Sequence, residues 1–205
     1  HPTRERVRGL PAPLSGTDLD GDGTIELLIG VVDSTRPSEC VAVVRVDEHG
    51  QVVEVPVDTR PVQEDACVER AEDVGGDPRA ELLVVGRYVV PPLSVPASVA
   101  VPFAGFEGSY MPMGAASGRY FAGERSVRVE RLEDARRVRD SGTISRLAVE
   151  LGLLRFFEGA GVDSAIAALD AESDGAHVDA LAAGRELIRT LAEPPSGRAS
   201  EDETE

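Results

Sequence analysis

The chain reads first as short apolar runs broken by polar turns, and later as longer segments whose apolar residues recur at helical spacing. Residues 25–32, Ile25-Glu26-Leu27-Leu28-Ile29-Gly30-Val31-Val32, carry the content of a buried strand. The runs Val41-Ala42-Val43-Val44-Arg45-Val46 and Gln51-Val52-Val53-Glu54-Val55-Pro56-Val57 flank Asp47-Glu48-His49-Gly50, which predicts a hairpin with a four-residue turn. A further strand is predicted over 80–90. Residues 91–118 are broken by Pro91, Pro92, Pro96, Pro102 and Pro112 and by Gly105, Gly108, Gly114 and Gly118, which predicts a long, loop-rich stretch. Its Phe103, Phe106, Tyr110, Met111 and Met113 are expected to pack back on the core or over a sheet edge.

Residues 126–132 alternate apolar and charged side chains and predict one more amphipathic strand, with 133–140 a charged hinge or short helix. From Ser141 the period becomes helical. Ser141-Gly142-Thr143 offers an N-cap, Ile144, Leu147, Ala148, Leu151 and Leu154 share one face, and Gly159 and Gly161 end the segment. Two more helices are predicted over 163–171 and 175–193, the last stopped by Pro194-Pro195. The expected fold class is therefore α+β: a β-rich region over 1–132, loop-rich at 91–118, and a helical region over 141–193. The acidic, polar stretch 194–205 is expected to be a disordered tail.

The densest chemistry lies just before the first of these strands. Asp18-Leu19-Asp20-Gly21-Asp22-Gly23-Thr24-Ile25-Glu26 sets acidic side chains at relative positions 1, 3, 5 and 9 around a glycine at position 6. Carboxylates so closely spaced repel one another unless a hard, oxygen-seeking cation sits among them, chiefly Ca²⁺. The first six residues resemble an EF-hand loop. Position 12 is Ile29, however, where that loop needs a bidentate glutamate, and a strand pattern follows instead of a helix. The stretch repeats without gaps at an offset of 55 residues, Asp73 to Val85 aligning on Asp18 to Gly30. A self-match at a fixed period signals stacked supersecondary units.

An Asp-rich loop closing on an acidic residue and running into "LLVVG" resembles the FG-GAP/VCBS repeats of integrin-type β-propellers, over roughly residues 10–90. The resemblance implies two blade-like antiparallel units, a calcium-binding loop, and a role in extracellular recognition or adhesion toward a protein or cell-surface partner. Two units cannot close a propeller. The loops differ. The first offers Asp18, Asp20, Asp22, the carbonyl of Thr24, and Glu26 to a Ca²⁺ ion. The second keeps Asp73, Asp77 and Glu81 but has Gly75 in place of an aspartate and Pro78 in place of the turn glycine, so it reads as a degenerate turn.

Composition adjusts this picture at a few points. A net charge of −16 argues against nucleic acid or an anionic membrane as partner, and no run is long enough to insert into a bilayer. With no Trp and 4% aromatics, the core must rest on Val, Leu, Ile and Ala. All 21 basic residues are arginine, and Lys and Asn are absent, a bias typical of high-GC coding. Cys40 and Cys67 are the only cysteines, and their number fits one disulfide or two reduced, buried thiols. The calcium loop favours the disulfide, because calcium-rich and oxidising surroundings coincide outside the cytoplasm. That placement, extracellular or periplasmic, implies a leader already removed ahead of His1. No nucleophile elbow, phosphate loop, dinucleotide fingerprint or zinc signature is present, and His1, His49 and His177 lie far apart in sequence. The reading is a calcium-stabilised binding module, preferred over an enzyme. The alternative is a metal-dependent hydrolase or hydrolase accessory domain.

Overall fold

A computed structural model describes residues 7–9, 16–31, 40–63, 66–76, 79–106 and 109–193. The β-rich part consists of two four-stranded antiparallel sheets, each a simple meander. The first holds β1 (Val7–Gly9), β2 (Glu26–Val31), β3 (Cys40–Val46) and β4 (Val52–Glu54). The second holds β5 (Cys67–Glu72), β6 (Glu81–Tyr88), β7 (Ala97–Phe106) and β8 (Ser109–Pro112). Four α-helices follow: α1 (Gly118–Val138), α2 (Ser141–Phe157), α3 (Val162–Ala171) and α4 (Val178–Ala192). The α+β class and its order along the chain are as the sequence predicts. In each sheet the acidic loop joins the first strand to the second, so the 55-residue repeat is also a repeat of structure.

The hairpin turn forms where predicted: Asp47 and Gln51 close it through a backbone bond of 2.9 Å. Two expectations need correction. Residues 91–118 are not chiefly loop, because β7 and β8 form a hairpin there. Pro102 is tolerated inside β7 because its carbonyl accepts from Met113 N at 3.0 Å, just past the end of β8. In an antiparallel strand a residue's N–H and C=O point the same way, so the missing donor faces a position where no strand partner needs it. The second correction concerns 126–132, which is helical and lies within α1. Its alternation is incidental: Val127 and Val129 are exposed, while Phe121, Leu132 and Ala135 make the buried stripe. The helical part therefore begins at Gly118 and not after 132. Within it, α2 is capped by Asp140, one residue earlier than expected, whose carboxylate accepts from Thr143 N at 3.0 Å. The stretch 194–205 lies outside the described residues.

One continuous core runs through both sheets and the helices. It includes Leu28, Val41 and Val43 from the first sheet, Leu82, Val84, Val101 and Phe103 from the second, and Phe121, Ala148 and Leu153 from the helices. The disulfide between Cys40 of β3 and Cys67 of β5 joins the sheets covalently, with Cα atoms 5.6 Å apart. β8 pairs only with residues 103–106 of β7, which leaves the rest of that edge open. Helix α2 packs there, and Glu150 and Arg128 bond the N–H and C=O of Ser98, at 3.1 Å each, in place of a neighbouring strand. No helix among the described residues is long and apolar enough to cross a membrane.

Candidate metal centre

Loop one folds on its own aspartates. Asp18 accepts from Gly21 N at 2.6 Å and from Gly23 N at 3.0 Å, Asp20 from Asp22 N at 3.0 Å, and Asp22 from Thr24 N at 2.6 Å. Gly21 and Gly23 take φ of +76° and +89°, a region that glycine enters without strain. These turns bring one carboxylate oxygen each from Asp18, Asp20 and Asp22 within 4.8 Å of one another. Glu26, the first residue of β2, is fully buried and ties back to the loop by accepting from Leu19 N at 2.7 Å.

Two oxygens here have no partner, one in the aspartate cluster and one beside it: Oδ2 of Asp20, a residue 6% exposed, and Oε1 of Glu26, 0% exposed. Burial pushes both carboxyls above the usual carboxylate range, and the neighbouring aspartates push the same way. Asp22 moves in the opposite direction, held low chiefly by the Thr24 N–H. Arg45 of β3 lies 3.3 Å from Asp22 Oδ2, on the rim of the loop. Buried carboxylate oxygens facing like charges without a donor suit a hard divalent cation. Asp18, Asp20, Asp22, Glu26 and the Thr24 carbonyl would hold it.

Loop two keeps the frame with one carboxylate fewer. Asp73 accepts from Gly76 N at 2.6 Å, as Asp18 does from Gly21. Glu81, buried at the start of β6, accepts from Val74 N at 2.9 Å, as Glu26 does from Leu19. Here the second oxygen-rich position is Gly75. Asp77 and Pro78 lie outside the described residues. Arg79 of this loop extends onto loop one: a Cβ on Gly21 would sit 2.7 Å from its guanidinium carbon.

The sequence does not reveal what loop one rests on. Asp20 lies against Gly105 of β7 so closely that a Cβ there would overlap the Asp20 Cα and Cβ atoms. Tyr110 of β8 pairs directly with Gly105 and is 2% exposed. The only sequence sign of this seat is a glycine in a strand, which marks close backbone approach. Gly105→Ala should therefore lift loop one and destabilise the fold by about 1–3 kcal/mol, the usual cost of overpacking. Chemical denaturation would check this, and an unchanged midpoint would mean that the loop is not seated there.

Of the histidines, His49 is exposed in its turn. His177 meets Ser141 across the helices, Nε2 to Oγ at 2.9 Å, while its backbone N–H donates to Ser145 Oγ at 2.8 Å. Together these bonds dock the start of α4 on α2. A cavity of about 350 Å³ nearby is lined by Pro92, Leu93, Asp140, Thr143, Arg146 and His177 among others, and shares no residue with the acidic loop. No family model, curated protein or solved structure matches the chain.

Proposed function

We propose that the chain is an extracytoplasmic recognition module built from two calcium-loop β units of the FG-GAP/VCBS kind. One Ca²⁺ ion, bound by Asp18, Asp20, Asp22, the Thr24 carbonyl and Glu26, has a structural role. The observation that carries this reading is the pair of buried, unpartnered oxygens on Asp20 and Glu26 beside two further carboxylates. The disulfide agrees with a non-reducing compartment. The recognition role draws support from the outer face of the first sheet. Leu27 pairs with Val44 and Val46 with Val52, so these residues share one face, with Val44 between them covered at 8% exposure. Leu27, Val46 and Val52 are 37%, 47% and 65% exposed, and neighbouring Ile25 is 57% exposed. An apolar strip of this kind suits a protein partner better than solvent.

Calorimetric titration should find one Ca²⁺ per chain. At a hundredfold excess over Kd the ion should stabilise the fold by about 2.7 kcal/mol, so that chelator lowers the melting temperature. Asp20→Ala should abolish that response while leaving the fold recognisable, and Asp73→Ala in the second loop should change it little. Identical melts of the wild type in millimolar calcium and in chelator would reduce the loop to a turn.

A further inference from the structure

Three side-chain oxygens around loop one are buried and lack a partner: Asp20 Oδ2, Glu26 Oε1 and the hydroxyl of Tyr110. The first two belong to the first unit. The third comes from β8, the last strand of the second unit, more than eighty residues on. Backbone packing brings them together. Asp20 sits on Gly105, Gly105 is the register partner of Tyr110, and Val57, just beyond β4, bridges to Tyr110 from the other side. Glu26 and Asp20 lead the charges that act on the Tyr110 hydroxyl, with burial the larger influence, and its ionisation is pushed well above the usual phenol range.

A buried hydroxyl and two buried carboxylate oxygens, none bonded to another, imply a bridging species between them. We infer that Tyr110 is the sixth contributor to the loop-one site: its hydroxyl holds a water bound to the cation, so that the ion fastens the first sheet to the second. This rests on the calcium reading above and goes beyond it. The site becomes a clamp between units and not a local brace of one loop. Loop two has no equivalent among the described residues, in keeping with the carboxylate it lacks at Gly75.

Terbium, a luminescent stand-in for Ca²⁺, provides the test. With no Trp in the chain, sensitised emission must come from Tyr88, Tyr110 or Tyr120. Tyr110→Phe should abolish most of it and weaken Ca²⁺ binding by about fivefold, the worth of one hydrogen bond. Tyr88→Phe and Tyr120→Phe should leave both unchanged. Tyr110→Phe also removes a hydroxyl with no partner in the ion-free protein. In chelator it should therefore melt no lower than wild type, while its gain from calcium shrinks; a residue that only packs would lower both melts together. If wild type binds Ca²⁺ and Tyr110→Phe binds it equally well, the clamp is overturned and the calcium site stands. If wild type binds neither Ca²⁺ nor terbium, both readings fall.

Discussion

Glu150→Ala should cost about 3–5 kcal/mol of stability, the range for stripping one partner from a buried ion pair. Glu150 is 3% exposed and accepts three bonds, from Arg128 Nε at 3.0 Å, Arg146 Nη1 at 2.9 Å and Ser98 N at 3.1 Å. Its loss leaves the Arg128 guanidinium, whose side chain is 12% exposed, with only Glu124 as counter-charge, and opens the β7 edge at Ser98. Glu150→Gln should cost less, because an amide oxygen still accepts from one donor. For contrast, Arg137 pairs with Asp134 in the open, at 75% and 66% exposure. Arg137→Ala should stay within about 0.5 kcal/mol of wild type. Urea titrations of the three variants give the comparison. Equal losses from Glu150→Ala and Arg137→Ala would show that the Glu150 network does not hold α1 and α2 to the sheet.

Replacing both cysteines by serine should lower stability by about 3.5 kcal/mol, the chain-entropy value for a loop of this length. The bridge spans 27 residues and encloses the β3–β4 hairpin. The entropic contribution acts on the unfolded chain, so the variant should unfold at lower denaturant while keeping the wild-type circular dichroism. A midpoint that does not move between oxidised and reduced protein would place the sheet-to-sheet stability entirely in the apolar core.

The elements legible in the sequence are those whose pattern is local. β2, β3 and β6 are dense in Val, Leu and Ile, α2 is a long apolar run behind its cap, and α3 and α4 carry a helical period, so their positions follow from local pattern. α2 is buried more widely than its pattern predicts: Val149, Leu153 and Phe157 are buried along with the expected face, because three helices and β7 surround it. The β7–β8 hairpin hides behind its prolines, since nothing in sequence shows that Pro102 stands opposite the end of a strand. In 126–132 a two-residue alternation competes with a helical stripe that has only three buried anchors in 21 residues. The acidic loop is legible for the same reason as the strands, its four carboxylates being close in sequence. Its seat on Gly105 and Tyr110 is not, because only the stacking of two sheets brings those residues near. The pairing of Ser141 with His177 is hidden in the same way.

The position of the disulfide has a further consequence. It anchors the first residue of β3 to the first residue of β5, whereas loop one meets the second sheet at Gly105 and Tyr110. If the first sheet lifts away, the covalent tether keeps the two surfaces at an effective concentration in the millimolar range or above. The chain already makes separation intramolecular; the bridge adds a second, shorter link that favours reclosing. Opening of this kind would show in hydrogen exchange as a group of first-sheet amides exchanging together, well before those of β6, where all residues but Arg87 are buried between two neighbouring strands.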